Sequence, residues 1–324
     1  MKAIRVHQHG GPRVLQLDDV PEPRPASGEV LVRVEAAGVN FMEIYQRKGQ
    51  YPMPLPFIPG GEGAGTVIAL GEGVASVRIG DRVVSQSFRG SYAEQSVTPA
   101  DRLVVIPDRV DTRIAAAVMI QGLTAHYLAT STFPLSKGDW CLVHAAAGGV
   151  GLLLCQMAAR RGAFAIGTVS TAEKVRLALE AGARAAIRYT EQDFVAETRR
   201  LTDGMGVQVV YDSVGATTFE GSLDSLAPRG MLVLFGQSSG PVPPIDPQVL
   251  NRKGSLFLTR PTIAHYVATR EELLMRASEV FDWIVEGSLR VRVHATYPLA
   301  DAGKAQEALE SRGTIGKVLL ALQP

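Results

Sequence analysis

From Trp140 onward the chain alternates short apolar runs with helix-length segments, and this alternation constrains the fold more than any other feature. The apolar runs are CLVHA at 141–145, AFAIGTV at 163–169, AAIRY at 185–189, VQVVYD at 207–212, MLVLFG at 231–236 and SLFLT at 255–259. Between them lie helix-length stretches such as 149–161, 172–181 and 191–202, with Gly162 and Gly182 placed to end helices. Strands joined by helical crossovers run parallel and are covered on both faces. The pattern therefore predicts an α/β unit, a doubly wound parallel six-stranded sheet of Rossmann type, over residues 123–260.

The sharpest local feature opens that unit. Val143-His-Ala-Ala-Ala-Gly-Gly-Val-Gly151 joins the first apolar run to the first helical segment, and set against G-x-G-x-x-G it reads Ala146-x-Gly148-x-x-Gly151. Gly148 would let the backbone approach a pyrophosphate and Gly151 would let helix and strand close together. The amides of Gly149 and Val150 would face the phosphates at the helix N-terminus. Alanine at the first position departs from the full motif, and a glycine-rich turn alone can be purely structural. Its place at the first strand–helix junction of a six-strand pattern is what points to a dinucleotide.

NAD-binding versions place an acid about 20 residues on, against the ribose 2′-hydroxyl. Here the second strand ends in Val169-Ser-Thr-Ala-Glu-Lys174, with no acid at the strand end. Ser170 and Lys174 can donate to a 2′-phosphate, and Tyr189 at the next strand end can add a hydroxyl, so NADPH is expected rather than NADH. The alternative for Lys174 is an ordinary solvated helix position.

The first ~120 residues follow another grammar, rich in Gly, Pro and short alternating runs, with strands expected at 29–38, 65–70, 81–85 and 92–97. Asp111 can cap a helix over 113–119, and a second helical segment is expected at 123–130 after Gly122. The tail returns to the grammar of the opening, with a helix at 270–286, a strand at 291–297, a helix at 300–311 and a strand at 316–320. Residues 1–122 and 261–324 are accordingly expected to form one discontinuous β-rich domain. Lys+Arg 33 against Asp+Glu 32 leaves a net charge of +1, which offers no broad field for nucleic acid or anionic lipid. No apolar run reaches the ~18 residues of a bilayer span, and the opening MKAIRVHQHGG has no signal-peptide apolar core. Cys141 and Cys155 support neither a disulfide framework nor a thiolate metal site. A reduced, cytoplasmic protein is expected.

The segments HGGPRVL (9–15), AAGVNFMEIYQRKGQYP (36–52), PGGEGAGTVIALGEGV (59–74), GDRV (80–83), GSYAEQ (90–95), QGLTAHYL (121–128), HAAAGGVG (144–151), VYDSVG (210–215), LFGQSSG (234–240), FLTRP (257–261) and LESRGTIGKVLL (309–320) span the chain. In this order and spacing they resemble the medium-chain dehydrogenase/reductase superfamily, specifically its zinc-independent NADPH:quinone oxidoreductase, zeta-crystallin-like branch. The resemblance implies a GroES-like catalytic domain beside the Rossmann domain. Zinc-dependent members carry Cys where this chain has Asn40 and His where it has Gly61, and often a four-Cys lobe, whereas no Cys precedes residue 141 here. Glu62 alone cannot hold zinc.

By the same resemblance Asn40, Tyr45, Tyr51 and Thr124 line the place where nicotinamide and substrate meet. Asn40 and the two phenols would donate to quinone oxygens, with Phe41, Ile44 and Phe57 as apolar walls. The alternatives are that both tyrosines anchor a short helix over 40–49, and that Thr124 merely caps one. On the cofactor side the pattern carries over to Ser213, to Phe235, Gly236, Gln237 and Ser238, and to the carbonyls of Phe257 and Leu258. Arg312 is a second cation for a phosphate, or else a surface partner of Glu307 or Glu310. Lys317 is assigned no role, and His126 and His144 read as structural. The implied activity is NADPH-dependent quinone reduction without metal or flavin. Reduction of activated C=C bonds is the alternative, with Arg47 and Lys48 as basic residues for a thioester substrate, and a non-catalytic NADPH-binding sensor is the third. The apolar sixth strand, SLFLTR, lies at a sheet edge, and a homodimer through that edge is expected.

Overall fold

Alternating apolar residues lay down the sheets of the first unit. In the computed structural model, which describes residues 1–322, β1 (Lys2–Val6) and β2 (Leu15–Asp19) form an antiparallel pair. The long β3 (Glu29–Val39) runs into α1 (Phe41–Arg47), followed by β4 (Gly63–Leu70), β5 (Arg82–Ser85), β6 (Gln95–Pro99) and β7 (Val104–Val105). β3 pairs antiparallel with both β4 and β6. The strand expected at 92–97 begins only at Gln95, since Ala93 makes no more than an isolated bridge to Ala3.

α2 (Thr112–Tyr127) is capped as expected, Asp111 Oδ1 accepting from the amides of Arg113 at 2.8 Å and Ile114 at 3.3 Å. The expected interruption at Gly122 does not occur. The helix runs through it and is prolonged over Leu128–Thr132 by a wider π-type turn. Ala115–Met119, Leu123, Ala125 and Tyr127 are all buried, and that packing outweighs the roughly 1 kcal/mol that glycine costs a helix interior.

Six parallel strands follow with their crossovers: β8 (Trp140–Val143), α3 (Gly149–Arg160), β9 (Phe164–Val169), α4 (Ala172–Glu180), β10 (Ala185–Arg188), α5 (Phe194–Leu201), β11 (Val207–Asp212), α6 (Phe219–Asp224), β12 (Leu226–Leu234), α7 (Gln248–Arg252), β13 (Phe257–Thr259) and α8 (Ile263–Tyr266). Their order is β10-β9-β8-β11-β12-β13, with all neighbours parallel. The order reverses between β8 and β11, and ligands of such sheets bind beyond the strand ends at that point.

The tail supplies α9 (Arg270–Val285), β14 (Val293–Pro298), α10 (Ala302–Glu310) and β15 (Lys317–Ala321). β15 pairs parallel with β14 and antiparallel with β3, Val318 opposite Val39, so the C-terminal segment completes the first sheet. The chain thus divides into Met1–Ile120 with Thr269–Pro324, and Gln121–Ala268. The second unit extends past residue 260 because the Tyr266 ring stacks on Tyr127 at 4.2 Å with 10° between planes. No helix among the described residues is long and apolar enough to cross a membrane.

One side chain ties the returning tail to α1. Arg47 is fully buried and donates to Gly10 O at 3.1 Å, Gln306 Oε1 at 2.8 Å and Glu310 Oε2 at 2.6 Å. Arg47→Met should destabilise the first unit by about 3–5 kcal/mol in urea denaturation, because buried partners lose their charge and donors together. Arg47→Lys should recover little of it, since a single ammonium cannot reproduce the forked guanidinium.

Candidate functional site

The glycine-rich turn leaves β8 at the switch point. Ala145 takes a left-handed φ of 51°, and Gly148 caps α3 with an extended backbone, its amide donating to Ala145 O at 2.8 Å. A Cβ on Gly151 would stand 2.4 Å from Ala145 O, so α3 approaches the strand this closely only without one. A Cβ on Gly149 would stand 1.9 Å from Gln121 Oε1. Gln121, on α2, therefore borders the turn, a neighbour that no local sequence motif signals. Alanine at position 146 is accommodated from the adjacent strand. Gly167 in β9 faces it, where a Cβ would come within 2.6 Å of Ala146 Cβ. The space usually vacated by the first motif glycine is here vacated by Gly167.

At the end of β9 the chain turns through Ser170 into α4, capped by Thr171, whose hydroxyl accepts from the Lys174 amide at 3.3 Å. Tyr189 follows β10, its amide donating to Val169 O at 3.1 Å, and Thr190 Oγ1 donates to Ser170 O at 3.3 Å. Ser170 and Lys174 thus follow the end of β9 and Tyr189 the end of the neighbouring β10, with no carboxylate at the end of β9. Lys174 is half-buried, and that burial holds its ammonium below its ordinary value, the Glu173 carboxylate opposing the shift.

The loops after β11 and β12 are zipped together: Ser238 N donates to Ser213 O at 3.2 Å, Ser239 N to Val214 O at 2.8 Å and Ala216 N to Gly240 O at 3.2 Å. Gly236 lies so close to Ser213 that a Cβ would meet its carbonyl at 2.5 Å. Ser213, Phe235, Gly236, Gln237 and Ser238 are therefore one surface beyond the strand ends. Phe257 and Leu258 lie on β13 beside Met231 and Leu232 of β12, and the Phe257 side chain is exposed at the sheet edge.

Beneath this surface His144 bonds Thr168 Oγ1 through Nδ1 at 2.9 Å and Ser222 Oγ through Nε2 at 3.0 Å, and Ser222 donates to Asp212 Oδ2 at 2.9 Å. All four side chains are buried, and burial lowers the His144 pKa. The serine stands between histidine and aspartate with no face to solvent, so the trio braces β8, β9, β11 and α6 rather than forming a nucleophile. Thr124 is also in this unit, buried on α2.

In the first unit Asn40 caps α1 and Glu43 completes a capping box, its Oε2 accepting from Asn40 N at 2.9 Å. The Asn40 amide is already engaged: Oδ1 accepts from Lys317 Nζ at 2.7 Å, and Nδ2 donates to Glu62 Oε2 at 3.0 Å. Lys317 Nζ lies 2.5 Å from Glu62 Oε2, and both side chains are wholly buried. Glu62 Oε1 takes the Ile120 amide of α2 at 2.5 Å. Glu43 is also buried and accepts from Gly61 N at 3.4 Å; burial pushes its pKa up to about 7, with Lys317 pulling it down. Lys317 is the side chain that motif reasoning passed over. A lone lysine within the apolar run IGKVLL was its available signal.

Tyr45 and Tyr51 are half-buried and meet edge-on at 5.3 Å, bringing both phenols to one end of α1. Arg312 sits in a left-handed turn between α10 and β15. Arg47 does not offer charge to a thioester, whereas Lys48 is exposed. Arg47 is buried as described, and Lys48 lies 2.5 Å from Glu310 Oε1. Among the described residues no group of three or more His, Cys, Asp or Glu is placed to hold a metal ion, and Glu62 is spent on Lys317, Asn40 and Ile120.

The family model for the alcohol dehydrogenase GroES-like domain matches residues 26–108, and that for zinc-binding dehydrogenases matches residues 149–283. The chain is 46% identical to a quinone oxidoreductase of Salmonella typhimurium over 98% of each chain. It is 39% identical to a 2-haloacrylate reductase of a Burkholderia species over 99% of each. The structure of Escherichia coli quinone oxidoreductase complexed with NADPH superposes with a TM-score of 0.97 at 45% identity, covering 99% of this chain and 100% of that one.

Two outcomes follow from the geometry. Gly167→Ala should cost about 1–3 kcal/mol by overpacking against Ala146, and Ala146→Gly in the same chain should restore most of it, as read by chemical denaturation. For Glu43, a folded pKa raised from 4.5 to about 7 means stability that is full below pH 4.5 and lost as pH rises through about 7. Glu43→Gln should flatten that slope in thermal melts taken across the window, the variant gaining on the parent at the alkaline end.

Proposed function

This chain belongs to the quinone oxidoreductase family of the medium-chain dehydrogenase/reductase superfamily, and from that premise we propose that it reduces quinones with NADPH, using neither metal nor flavin. The observation that carries the cofactor reading is that Ser170 and Lys174 follow β9, and Tyr189 follows the neighbouring β10, with no carboxylate at the end of β9. An acid there would bind a ribose 2′-hydroxyl and repel a 2′-phosphate, whereas an ammonium and two hydroxyls favour the phosphate.

NADPH, when bound, supplies a hydride from its nicotinamide ring. Every other task falls to the chain. The amides of Gly149 and Val150 would hold the pyrophosphate at the α3 N-terminus, with Gly148 leaving the approach clear and Gly151 letting α3 close on the preceding turn. Ser213, Phe235, Gly236, Gln237 and Ser238, with the Phe257 and Leu258 carbonyls, would orient the nicotinamide end. Tyr45 and Tyr51 donate hydrogen bonds to the quinone oxygens, where negative charge grows during reduction. Asn40 sets the start of the helix that carries Tyr45. The product proton comes from a tyrosine or from solvent. The positions that bear Cys and His in zinc-dependent members are Asn40 and Gly61, which supports a metal-free reaction.

Reduction of an activated C=C bond is the second reading, favoured by the relative named 2-haloacrylate reductase. Of the two basic residues expected at a thioester, Arg47 is engaged inside the chain and only Lys48 is exposed. Pairing of two copies through the β13 edge is part of the proposal. The exposed Phe257 on a strand bonded on one side supports it, and sedimentation at the mass of a single chain would overturn it.

The deciding experiment follows oxidation of NADPH, and of NADH in parallel, with benzoquinone, ring-fused quinones and cyclohexenone as acceptors. Turnover with quinones and preference for NADPH support the reading. Turnover with the enone alone moves the activity to alkene reduction, and tight NADPH binding without turnover points to a sensor. Lys174→Ala should raise the KM for NADPH about ten- to hundredfold while leaving that for NADH nearly unchanged.

A further inference from the structure

We propose that Lys317 is a positioning residue for the reduction: its buried ammonium sets the orientation of the Asn40 amide and, through Glu62, holds the Ile120 amide of α2. The two faces of an asparagine amide are nearly equal in shape, so their neighbours decide which way it points. Here a donor with no acceptor capacity, Lys317 Nζ, stands 2.7 Å from Oδ1, and a carboxylate oxygen of Glu62 stands 3.0 Å from Nδ2. Reversing the amide would set its NH2 against the ammonium and its oxygen against the carboxylate, so one orientation is enforced.

The same carboxylate reaches two elements. Oε2 meets Lys317 and Asn40, and Oε1 meets Ile120 N at 2.5 Å, four residues before Thr124 on the same helix. The backbone is shaped to admit the cluster. A Cβ on Gly38 would fall 1.9 Å from Glu62 Oε2 and 2.9 Å from Lys317 Nζ, and Glu62 O accepts from Gly38 N at 3.1 Å and Ser91 Oγ at 2.6 Å. Lys317 itself touches no substrate in this scheme. It acts through Asn40 at the head of α1, whose last turn carries Tyr45 against Tyr51, and through the Ile120 amide.

The functional half of this inference rests on the quinone reductase reading, so the test has one arm that does not depend on turnover. Lys317→Met strands the Glu62 carboxylate and is expected to fold poorly. The variant to compare is Lys317→Met with Glu62→Gln, which removes both charges at nearly constant volume. It should recover the parent's melting temperature and NADPH affinity, yet keep kcat with benzoquinone about ten- to hundredfold down. In NMR spectra of the NADPH-bound protein, with Asn40→Asp identifying the resonances, the parent should show one slowly exchanging Asn40 side-chain NH2 pair and a protected Ile120 amide. The double variant should lose both. Recovery of kcat in step with melting temperature would make Lys317 merely structural and overturn the proposal. Unchanged Asn40 and Ile120 signals in the double variant would overturn it too, whatever the turnover. A parent that binds NADPH but reduces no acceptor would instead remove the function reading, and the NMR arm would still decide the positioning.

Discussion

Lys317 enters the interior on β15, the strand that returns from the end of the chain, and a charge brought there has to be met by others. Glu62 meets it from the turn before β4, Asn40 from the head of α1, and the Ile120 amide joins from α2. Four segments far apart in sequence therefore share one set of hydrogen bonds, and none can shift without leaving a buried polar atom alone. Gly38 in β3 is the fifth participant, present because nothing larger fits. A discontinuous domain needs some such device. β15 could slide along β3 on apolar contacts alone, whereas a lysine aimed at one carboxylate fixes its register.

The second unit was legible in the sequence because its physics is periodic. Its central strands β8, β9 and β11 are largely buried and helices such as α3 bury one side, so apolar runs and amphipathic segments mark their own ends to within a few residues. α3 and α4 lie almost where the pattern put them, while α5 begins three residues late, where Asp193 caps it. The first unit was less legible. Its sheet joins strands from both ends of the chain, and a run such as 92–97 carries the right residues without the partners that would pair all of it. Gly122 misled for a related reason, since burial of its neighbours is a tertiary fact that propensity does not contain.

The candidate site divides along the same line. Residues tied to a local motif, such as Gly148 and Gly151, could be proposed from spacing, and the loop at 235–238 from the family resemblance. Residues whose role depends on distant partners could not. Gly167 compensates for Ala146 across two strands, and Arg47 looked like free surface charge until α10 was found covering it. A charged residue in an apolar run is best read as a buried partner in search of its counterion. Lys317 in IGKVLL was such a case.

The two units also meet different chemical demands, and this bears on how one scaffold serves several substrates. The cofactor side is built largely from backbone: amides at a helix N-terminus, carbonyls at strand ends, and glycines whose contribution is the absence of a side chain. Such a surface survives extensive substitution elsewhere, provided the close approaches at Gly151 and Gly236 are kept. In the same reading the substrate side rests on side chains of one short helix and the turn after it, Asn40, Tyr45 and Tyr51, each a single replaceable group. Relatives named for quinone and for haloacrylate reduction, both matched over nearly the whole chain, fit that division. A change of acceptor would, in that reading, fall on residues along α1 and its turn, while the buried pair of Glu62 and Lys317 holds the head of that helix.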